Sequence, residues 1–259
     1  MKMQRLRYPL IIAHRGCSLR YPENTLIAFE KALESKVQMI ELDVTLTRDR
    51  ELVVIHDETL DRTTNGRGRV MDHTLAELKR LDAGGWFSRR FTGEPVPTLA
   101  DVLKMAVGRA AVNIEIKPEA YDTRHPEDAV ERQVWELLHR QHMTDDVVVS
   151  SFDARVLTEI SRMERPPALG YLTEGAGLGG VFDVCQRIGA FSWNVDYRYV
   201  NRTRIDQAHA MGLRVFTYTV NSRKQILSLL DMGVDGIFTD DPVAAAACLS
   251  NSGSEERRV

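Results

Sequence analysis

Met211-Gly212-Leu213-Arg214-Val215-Phe216-Thr217-Tyr218-Thr219 reads as a helix end, a glycine and a buried strand, and Met232-Gly233-Val234-Asp235-Gly236-Ile237-Phe238-Thr239 repeats the device. In each, a glycine just past the last helical position supplies a left-handed stop, and a strand starts within a few residues. Six further apolar runs follow the same rhythm upstream: Leu10–Ala13, Met39–Val44, Ala111–Ile116, Val147–Ser150, Ala168–Tyr171 and Ala190–Trp193. Most are short, apolar on both faces and followed by polar or glycine-containing turns, the pattern of buried parallel strands. Helical stripes fill the gaps. Asn24 is placed to cap a helix carrying Leu26, Phe29, Ala32 and Leu33; Val130, Val134, Leu137 and Leu138 stripe another. Val156, Leu157 and Ile160 form a third, and Ile226, Leu229 and Leu230 a fourth.

Eight strands alternating with helices predict an α/β fold of the (β/α)8 TIM-barrel type, which usually needs ~250 residues. The chain has 259. A doubly wound sheet is the competing architecture, but no glycine fingerprint for a dinucleotide follows the first strand. Residues 45–107 do not fit a single crossover. They hold an extra extended piece, Leu52–Ile55, the run Arg62-Thr63-Thr64-Asn65-Gly66-Arg67-Gly68, and polar helical stretches. This reads as a small insertion after the second barrel strand, over the catalytic face, within one catalytic domain spanning 1–249. The polar stretch 250–259 reads as a flexible tail.

Composition narrows the partners. With 34 basic and 37 acidic residues the net charge is −3, and there is no long basic run or aromatic-basic interleaving. Nucleic acid is not indicated, nor is a membrane surface. Cys17, Cys185 and Cys248 are odd in number and far apart, which suits a reducing compartment. The basic start, Met1 to Arg7, is followed by only a short apolar stretch, Tyr8 to Ala13. That is too short for a secretory signal or a membrane span, and the expected location is cytoplasmic. The sequence leaves the oligomeric state open.

The chemistry concentrates at strand ends. Ile40-Glu41-Leu42-Asp43-Val44 carries two carboxylates two residues apart, so both face one side of a strand among aliphatic neighbours. Such a pair repels itself and loses hydration, and therefore needs a cation. Asn113-Ile114-Glu115-Ile116-Lys117 repeats the spacing with Glu115 and Lys117. Glu41, Asp43 and Glu115, from two adjacent strands, make an oxygen-ligand set for one divalent cation, Mg2+ or Ca2+. No Cys or His cluster has zinc spacing. A salt-bridged carboxylate pair at a barrel rim is the bland alternative, and Lys117 could serve only as counter-charge to Glu115. Its other use is as a donor to a phosphoryl oxygen.

His14 ends the first strand beside Arg15, and His56 ends the run Leu52–Ile55. With values near neutrality, one imidazole can take a proton from a nucleophile while the other protonates a leaving oxygen. Arg15 suits a phosphoryl group through its planar fork. Asp57 follows His56, but neighbours in an extended segment point to opposite faces, so its role stays open. His73, His125, His139, His142 and His209 lie in polar or helical contexts and are assigned no role. Metal, two general acid–base groups and two cations are what phosphodiester cleavage asks for. Aldolase or enolisation chemistry also uses such groups on this fold, and the spacing leaves it open.

The chain resembles the glycerophosphodiester phosphodiesterase family. The resemblance rests on His14-Arg15-Gly16, Pro22-Glu23-Asn24-Thr25, Glu41-Leu42-Asp43-Val44, Val54-Ile55-His56-Asp57, Leu60-Asp61-Arg62-Thr63-Thr64-Asn65-Gly66 with Gly68, Asn113-Ile114-Glu115-Ile116-Lys117, Thr219-Val220-Asn221, and the run Gly233 to Pro242. These cover nearly the whole chain in order and are specific as a set. The resemblance implies Glu41, Asp43 and Glu115 as metal ligands, His14 and His56 as the catalytic pair, and Arg15 and Lys117 as phosphate-binding residues. It implies hydrolysis of a glycerophosphodiester, such as glycerophosphocholine or glycerophosphoethanolamine, to sn-glycerol 3-phosphate and an alcohol. Two departures stand out. Tyr218 replaces the tryptophan common before Thr-Val-Asn, keeping an aromatic wall and adding a hydroxyl that wants a partner. Cys17 follows the His-Arg-Gly turn, where a redox role is the less expected reading. Phe152, Trp193 and Tyr218 are candidate pocket-lining residues. Two other functions use the same residues: a phospholipase-type diesterase acting on lysophospholipids, with Trp86, Phe87 and Phe91 as an apolar entry, and a non-catalytic glycerophosphodiester-binding barrel.

Overall fold

Residues along each strand alternate between two cores. In the computed structural model, which describes residues 6–175 and 179–255, the chain runs β1 (Leu10–Ala13), α1 (Leu26–Glu34), β2 (Met39–Leu46), β3 (Leu52–Val54), α2 (Leu75–Leu78), α3 (Leu99–Ala106) and β4 (Ala111–Ile116). It continues α4 (Val130–Arg140), β5 (Val147–Ser151), α5 (Ala154–Ser161), β6 (Ala168–Thr173), α6 (Val181–Ile188) and β7 (Ser192–Asp196). The last elements are α7 (Arg202–Ala210), β8 (Arg214–Tyr218), α8 (Arg223–Asp231), β9 (Gly236–Thr239) and α9 (Pro242–Glu255). Leu10, Ile12, Met39, Ala111, Val148, Phe216 and Phe238 pack together inside the ring of strands. Their neighbours Ile11, Ile40, Leu42, Val112, Ile114, Val149 and Ile237 join the helices in a larger outer core. Period-two alternation thus feeds both layers, as a sheet covered on both faces requires.

The ring is closed. β1 pairs in parallel with β2 on one side and β9 on the other, and the parallel order β2-β4-β5-β6-β7-β8-β9 completes eight strands. This is the (β/α)8 barrel expected from the sequence. β3 lies outside the ring, antiparallel to β2 with Val44 opposite Val54. The register between β2 and β4 sets Glu41 opposite Asn113 and Asp43 opposite Glu115. Helices bury the predicted stripes: Val130, Val134, Leu137 and Leu138 in α4, and Val156, Leu157 and Ile160 in α5. Phe29 of α1 is fully buried, and truncating such a ring to alanine costs about 3–5 kcal/mol.

Several boundaries differ from the sequence reading. The cap of α1 is Thr25, whose side chain accepts from Ala28 N; Asn24 is spent elsewhere, as described below. β7 starts at Ser192 and ends at Asp196, later than the expected Ala190–Trp193. Between β2 and α3, Val53, Ile55, Leu60, Val70, Leu78, Ala83 and Val96 form a small separate core. Leu99, Val102, Leu103 and Ala106 of α3 belong instead to the main core, so α3 is the crossover helix into β4. Gly212 and Gly233, with φ of 77° and 91°, take the left-handed conformation that glycine adopts freely. α9 enters the stretch read as a tail, and residues 256–259 lie outside the described residues. No helix among the described residues is long and apolar enough to cross a membrane.

Candidate active site

The inward side of the strands changes character from bottom to mouth. On β2 it runs Met39, Glu41, Asp43; on β4 and just beyond, Ala111, Asn113, Glu115, Lys117; on β5, Val148, Ser150 and then Phe152. Apolar residues fill the floor, small polar ones the middle, and charges or rings the C-terminal rim. The rim encloses a cavity of about 440 Å³ to which His14, Arg15, Glu41, His56, Glu115 and Lys117 contribute.

β1 leads into a tight turn. Arg15 has φ of 54° and Gly16 of 85°. A Cβ at Gly16 would lie 2.7 Å from the backbone carbon of Ala28, so α1 can approach only a glycine here. This turn directs the Arg15 backbone N–H to Glu41 Oε2 at 2.8 Å. The Arg15 guanidinium donates through Nη1 to Glu23 Oε1 at 2.8 Å, and its Nε lies 3.2 Å from Asp43 Oδ2. Nη2 has no partner among the described residues.

One oxygen each of Glu41, Asp43 and Glu115 lies within 4.8 Å of the other two. Burial, with Asp43 and Glu115 alongside, pushes Glu41 well above the ordinary carboxylate range. Burial and Asp43 likewise raise Glu115 to about 7, against the pull of Lys117. Burial would lift Asp43 too, but Arg15 and Lys117 overcome it and hold it at about 2. Three carboxylates this close cannot all ionise cheaply. Asn24 Nδ2 donates to Asp43 Oδ2 at 2.8 Å, which explains why Asn24 does not cap α1. Asp43 Oδ1 is buried without a hydrogen bond, and Lys117 Nζ sits 3.5 Å from it. A divalent cation fits this donor set: it would accept the orphan oxygen and let all three carboxylates ionise. Lys117 Nζ also donates to Glu115 Oε1 at 2.8 Å, the counter-charge arrangement.

Each histidine is held by a carboxylate. His14 Nδ1 is 2.7 Å from Asp240 Oδ1, and His56 Nδ1 is 2.7 Å from Asp57 Oδ1. An ionised carboxylate only accepts, so Nδ1 carries the proton and Nε2 is left for chemistry. Asp240 is fixed in turn by Asn221 Nδ2 at 2.6 Å and Ser18 Oγ at 3.1 Å. Burial would raise Asp240, but its bonds to His14 and Asn221 bring it to about 2. Asp57 is gripped by Arg62 Nε at 2.6 Å, and Arg62 continues to Glu23 Oε2 at 2.7 Å. Glu23 therefore ties the two histidine neighbourhoods together through Arg15 and Arg62. Burial, then the cations Arg15 and Lys117, lower His56 below the usual histidine value, against the opposing pull of Asp43.

Asp240, Asn221, Glu23 and Arg62 were given no role from sequence. Asp240 lies 226 residues from His14 and reaches it only because β9 closes on β1. Asp57 reaches His56 because the backbone bends after β3, so the two do not point to opposite faces. Phe152 and Tyr218 line the cavity as expected. Trp193 does not. It is 1% exposed, lies in the outer core beside Phe182, and donates Nε1–H to Thr173 Oγ1 at 2.8 Å. Ser192 and Asn194 share the inward side, with Ser192 Oγ donating to Asn194 Oδ1 at 2.8 Å, so Trp193 between them faces outward. The Tyr218 hydroxyl donates to the Thr173 carbonyl at 2.7 Å, so the added polarity is spent on the backbone. Cys17 is buried, and burial followed by Asp241 pushes its thiol up, which disfavours the reactive thiolate.

Residues 14–244 match the model of the glycerophosphoryl diester phosphodiesterase family. The chain is 39% identical over 234 residues to a glycerophosphodiester phosphodiesterase of Caldanaerobacter subterraneus subsp. tengcongensis, a match covering 90% of this chain and 94% of the relative. It is 35% identical over 245 residues to a glycerophosphodiester phosphodiesterase of Bacillus subtilis, covering 90% and 84%. Among solved structures it is similar to a phosphodiesterase of Oleispira antarctica in complex with the product sn-glycerol-3-phosphate. The TM-score is 0.86 at 28% identity, covering 94% of this chain and 97% of that one.

Proposed function

Because this chain belongs to the glycerophosphoryl diester phosphodiesterase family, we propose that it hydrolyses glycerophosphodiesters, using one divalent cation, Mg2+ or Ca2+, and a pair of histidines. The substrates are deacylated phospholipids such as glycerophosphocholine or glycerophosphoethanolamine, and the products are sn-glycerol 3-phosphate and the alcohol. One observation carries this reading: a three-carboxylate cluster with an orphan Asp43 oxygen shares its cavity with two histidines whose Nδ1 atoms are both carboxylate-bound.

Glu41, Asp43 and Glu115 would hold the cation, which when bound supplies Lewis-acid polarisation of the phosphodiester. Arg15 offers its free Nη2 to a phosphoryl oxygen while Glu23 and Asp43 keep the guanidinium in place. Lys117 adds a second positive charge beside Glu115 and Asp43. Together they stabilise charge that builds on the phosphoryl oxygens. His14 and His56 exchange protons through Nε2, one with the attacking hydroxyl and the other with the departing alcohol oxygen. Asp240 and Asp57 fix each ring and stabilise its protonated form.

The insertion belongs to a single catalytic domain, since His56 hangs from it into the barrel cavity. The buried thiols Cys17 and Cys185, neither in a disulfide, agree with a cytoplasmic enzyme of lipid metabolism. A lysophospholipid entry finds no support: Trp86, Phe87 and Phe91 stack in sequence onto Tyr21 and none lines the cavity. The test incubates the purified chain with glycerophosphocholine and Mg2+ or Ca2+ and measures sn-glycerol 3-phosphate. Release that stops with chelator supports the reading. Intact diesters with every divalent metal would refute it.

A further inference from the structure

The phosphate-side residues occupy one part of the barrel mouth, from β1, β2, β4 and the segment after β3. The opposite part, contributed by the ends of β5, β6, β8 and β9, has a different character. Phe152 and Tyr218 meet edge to face, with centroids 6.1 Å apart and planes at 85°. Tyr218 and Phe238 do the same at 6.4 Å and 86°. These rings make one wall of the cavity aromatic, and an aromatic π face attracts a cation. Glu174, at the end of β6, lines the cavity beside these rings. Tyr218 registers its nearness: burial first, then the Glu174 carboxylate, raises the phenol. Glu174 has no hydrogen bond or ion pair among the described residues, although most acidic groups around the site do. Glu119, after β4, also lines the cavity without an ion pair, though its charge acts on Lys117. Phe152, Leu172 and Glu174 also line a second hollow of about 220 Å³.

An aromatic wall beside an unpaired carboxylate is the recognition chemistry of an organic ammonium ion. The other half of the mouth holds Arg15 and Lys117, the cations suited to a phosphoryl group, so a zwitterionic diester finds a partner for each of its charges at opposite ends of one cavity. We propose that Glu174, set against the perpendicular rings of Phe152 and Tyr218 and assisted by Glu119, receives the ammonium group of the leaving alcohol. The preferred substrates are then glycerophosphodiesters with a short cationic headgroup, ahead of those with a neutral polyol. This specificity rests on the phosphodiesterase reading above.

The test compares kcat/KM of the purified full chain, with a divalent cation, on glycerophosphocholine, glycerophosphoethanolamine and glycerophosphoglycerol. The wild-type protein should favour the two cationic diesters. Glu174→Gln should lower the cationic-to-neutral ratio about two- to fivefold, the scale of one partly exposed charge pair. Adding Glu119→Gln should take the drop to about tenfold. Turnover of the neutral diester in each variant reports that the site is folded, and added salt should shrink the wild-type preference. An unchanged ratio in both variants, with all three diesters cleaved, would overturn the ammonium site and leave the phosphodiesterase reading intact. Cleavage of none by the wild-type protein would overturn both.

Discussion

Two arcs of one barrel mouth, equal in strand geometry, present different side chains to the same cavity. The arc from β1 to β4 is crowded with charge: Arg15, Asp43, Glu115 and Lys117 form one ion-pair network, and Glu41 joins it by accepting from the Arg15 backbone N–H. The arc from β5 to β9 presents Phe152, Tyr218 and Phe238, with exposed Glu174 at its edge. The barrel supplies both with the same scaffold, so the division arises from which residue occupies the last inward position of each strand. The function proposed above assigns chemistry to the first arc and selection to the second. Changes in the first should act on kcat, and changes in the second on KM and substrate ratio.

The largest break in that division comes from the histidines. His56→Ala, and separately His14→Ala, should fold normally and lose about 10²–10⁴-fold in kcat, measured under saturating glycerophosphocholine. Near-normal turnover would remove that histidine from the charged arc's machinery.

Metal and pH sharpen the same arc. Glu115 at about 7 and Glu41 above its ordinary value hold protons that the unfolded chain has already lost. The metal-free protein should therefore lose stability as pH rises from ordinary carboxylate values through about 7. A bound divalent cation stabilises the fold by about 2.7 kcal/mol at a hundredfold excess over its Kd. The rise in Tm on adding Mg2+ or Ca2+ should be larger at pH 8 than at pH 5. An equal rise at both, or none, counts against the three-carboxylate site.

Asp240→Asn comes next. It keeps the shape at His14 but removes the negative charge and replaces one of the two accepting oxygens with an amide donor, so the ring tautomer is no longer fixed, and activity should fall about 10–100-fold with Tm little altered. In the aromatic arc, Phe152→Ala should raise KM for glycerophosphocholine about three- to tenfold while kcat changes less. A kcat-dominated loss there would erase the distinction between the arcs. The smallest effect concerns Cys17. Because its thiol is buried and its ionisation disfavoured, an alkylating reagent applied to the native protein should leave turnover unchanged over the time of an assay. Rapid inactivation that follows labelling of Cys17 would reopen a redox role.

The residues that interact along a strand or across adjacent strands were legible in the sequence. Glu41 and Asp43 share a face because they are two apart, and Glu115 joins them through the register of β2 with β4. The repeated helix-glycine-strand device gave the barrel its rhythm, because the backbone requirement is local. What depends on closure or on a bend was not legible. Asp240 becomes the partner of His14 only when β9 closes on β1. Asp57 meets His56 only because the chain leaves extended geometry there. Glu23, in the sequence only one member of the Pro22-Glu23-Asn24-Thr25 motif, acquires a role when Arg15 and Arg62 converge on it from two different loops. Trp193 shows the weight of strand parity: Ser192 and Asn194 take the inward side of β7, so the ring between them lies in the outer core and not at the rim. Asn24 shows competition, since the same side chain that suits a helix cap is taken by Asp43.

The account turns on metal-dependent cleavage of a glycerophosphodiester by the charged arc. Phosphorus NMR of the wild-type protein with glycerophosphocholine, recorded with Mg2+ or Ca2+ and again with excess chelator, tests it most directly. The diester resonance should be replaced by that of sn-glycerol 3-phosphate only when the metal is free to bind. A diester signal that persists with every divalent cation, or disappears at the same rate in chelator, would contradict it.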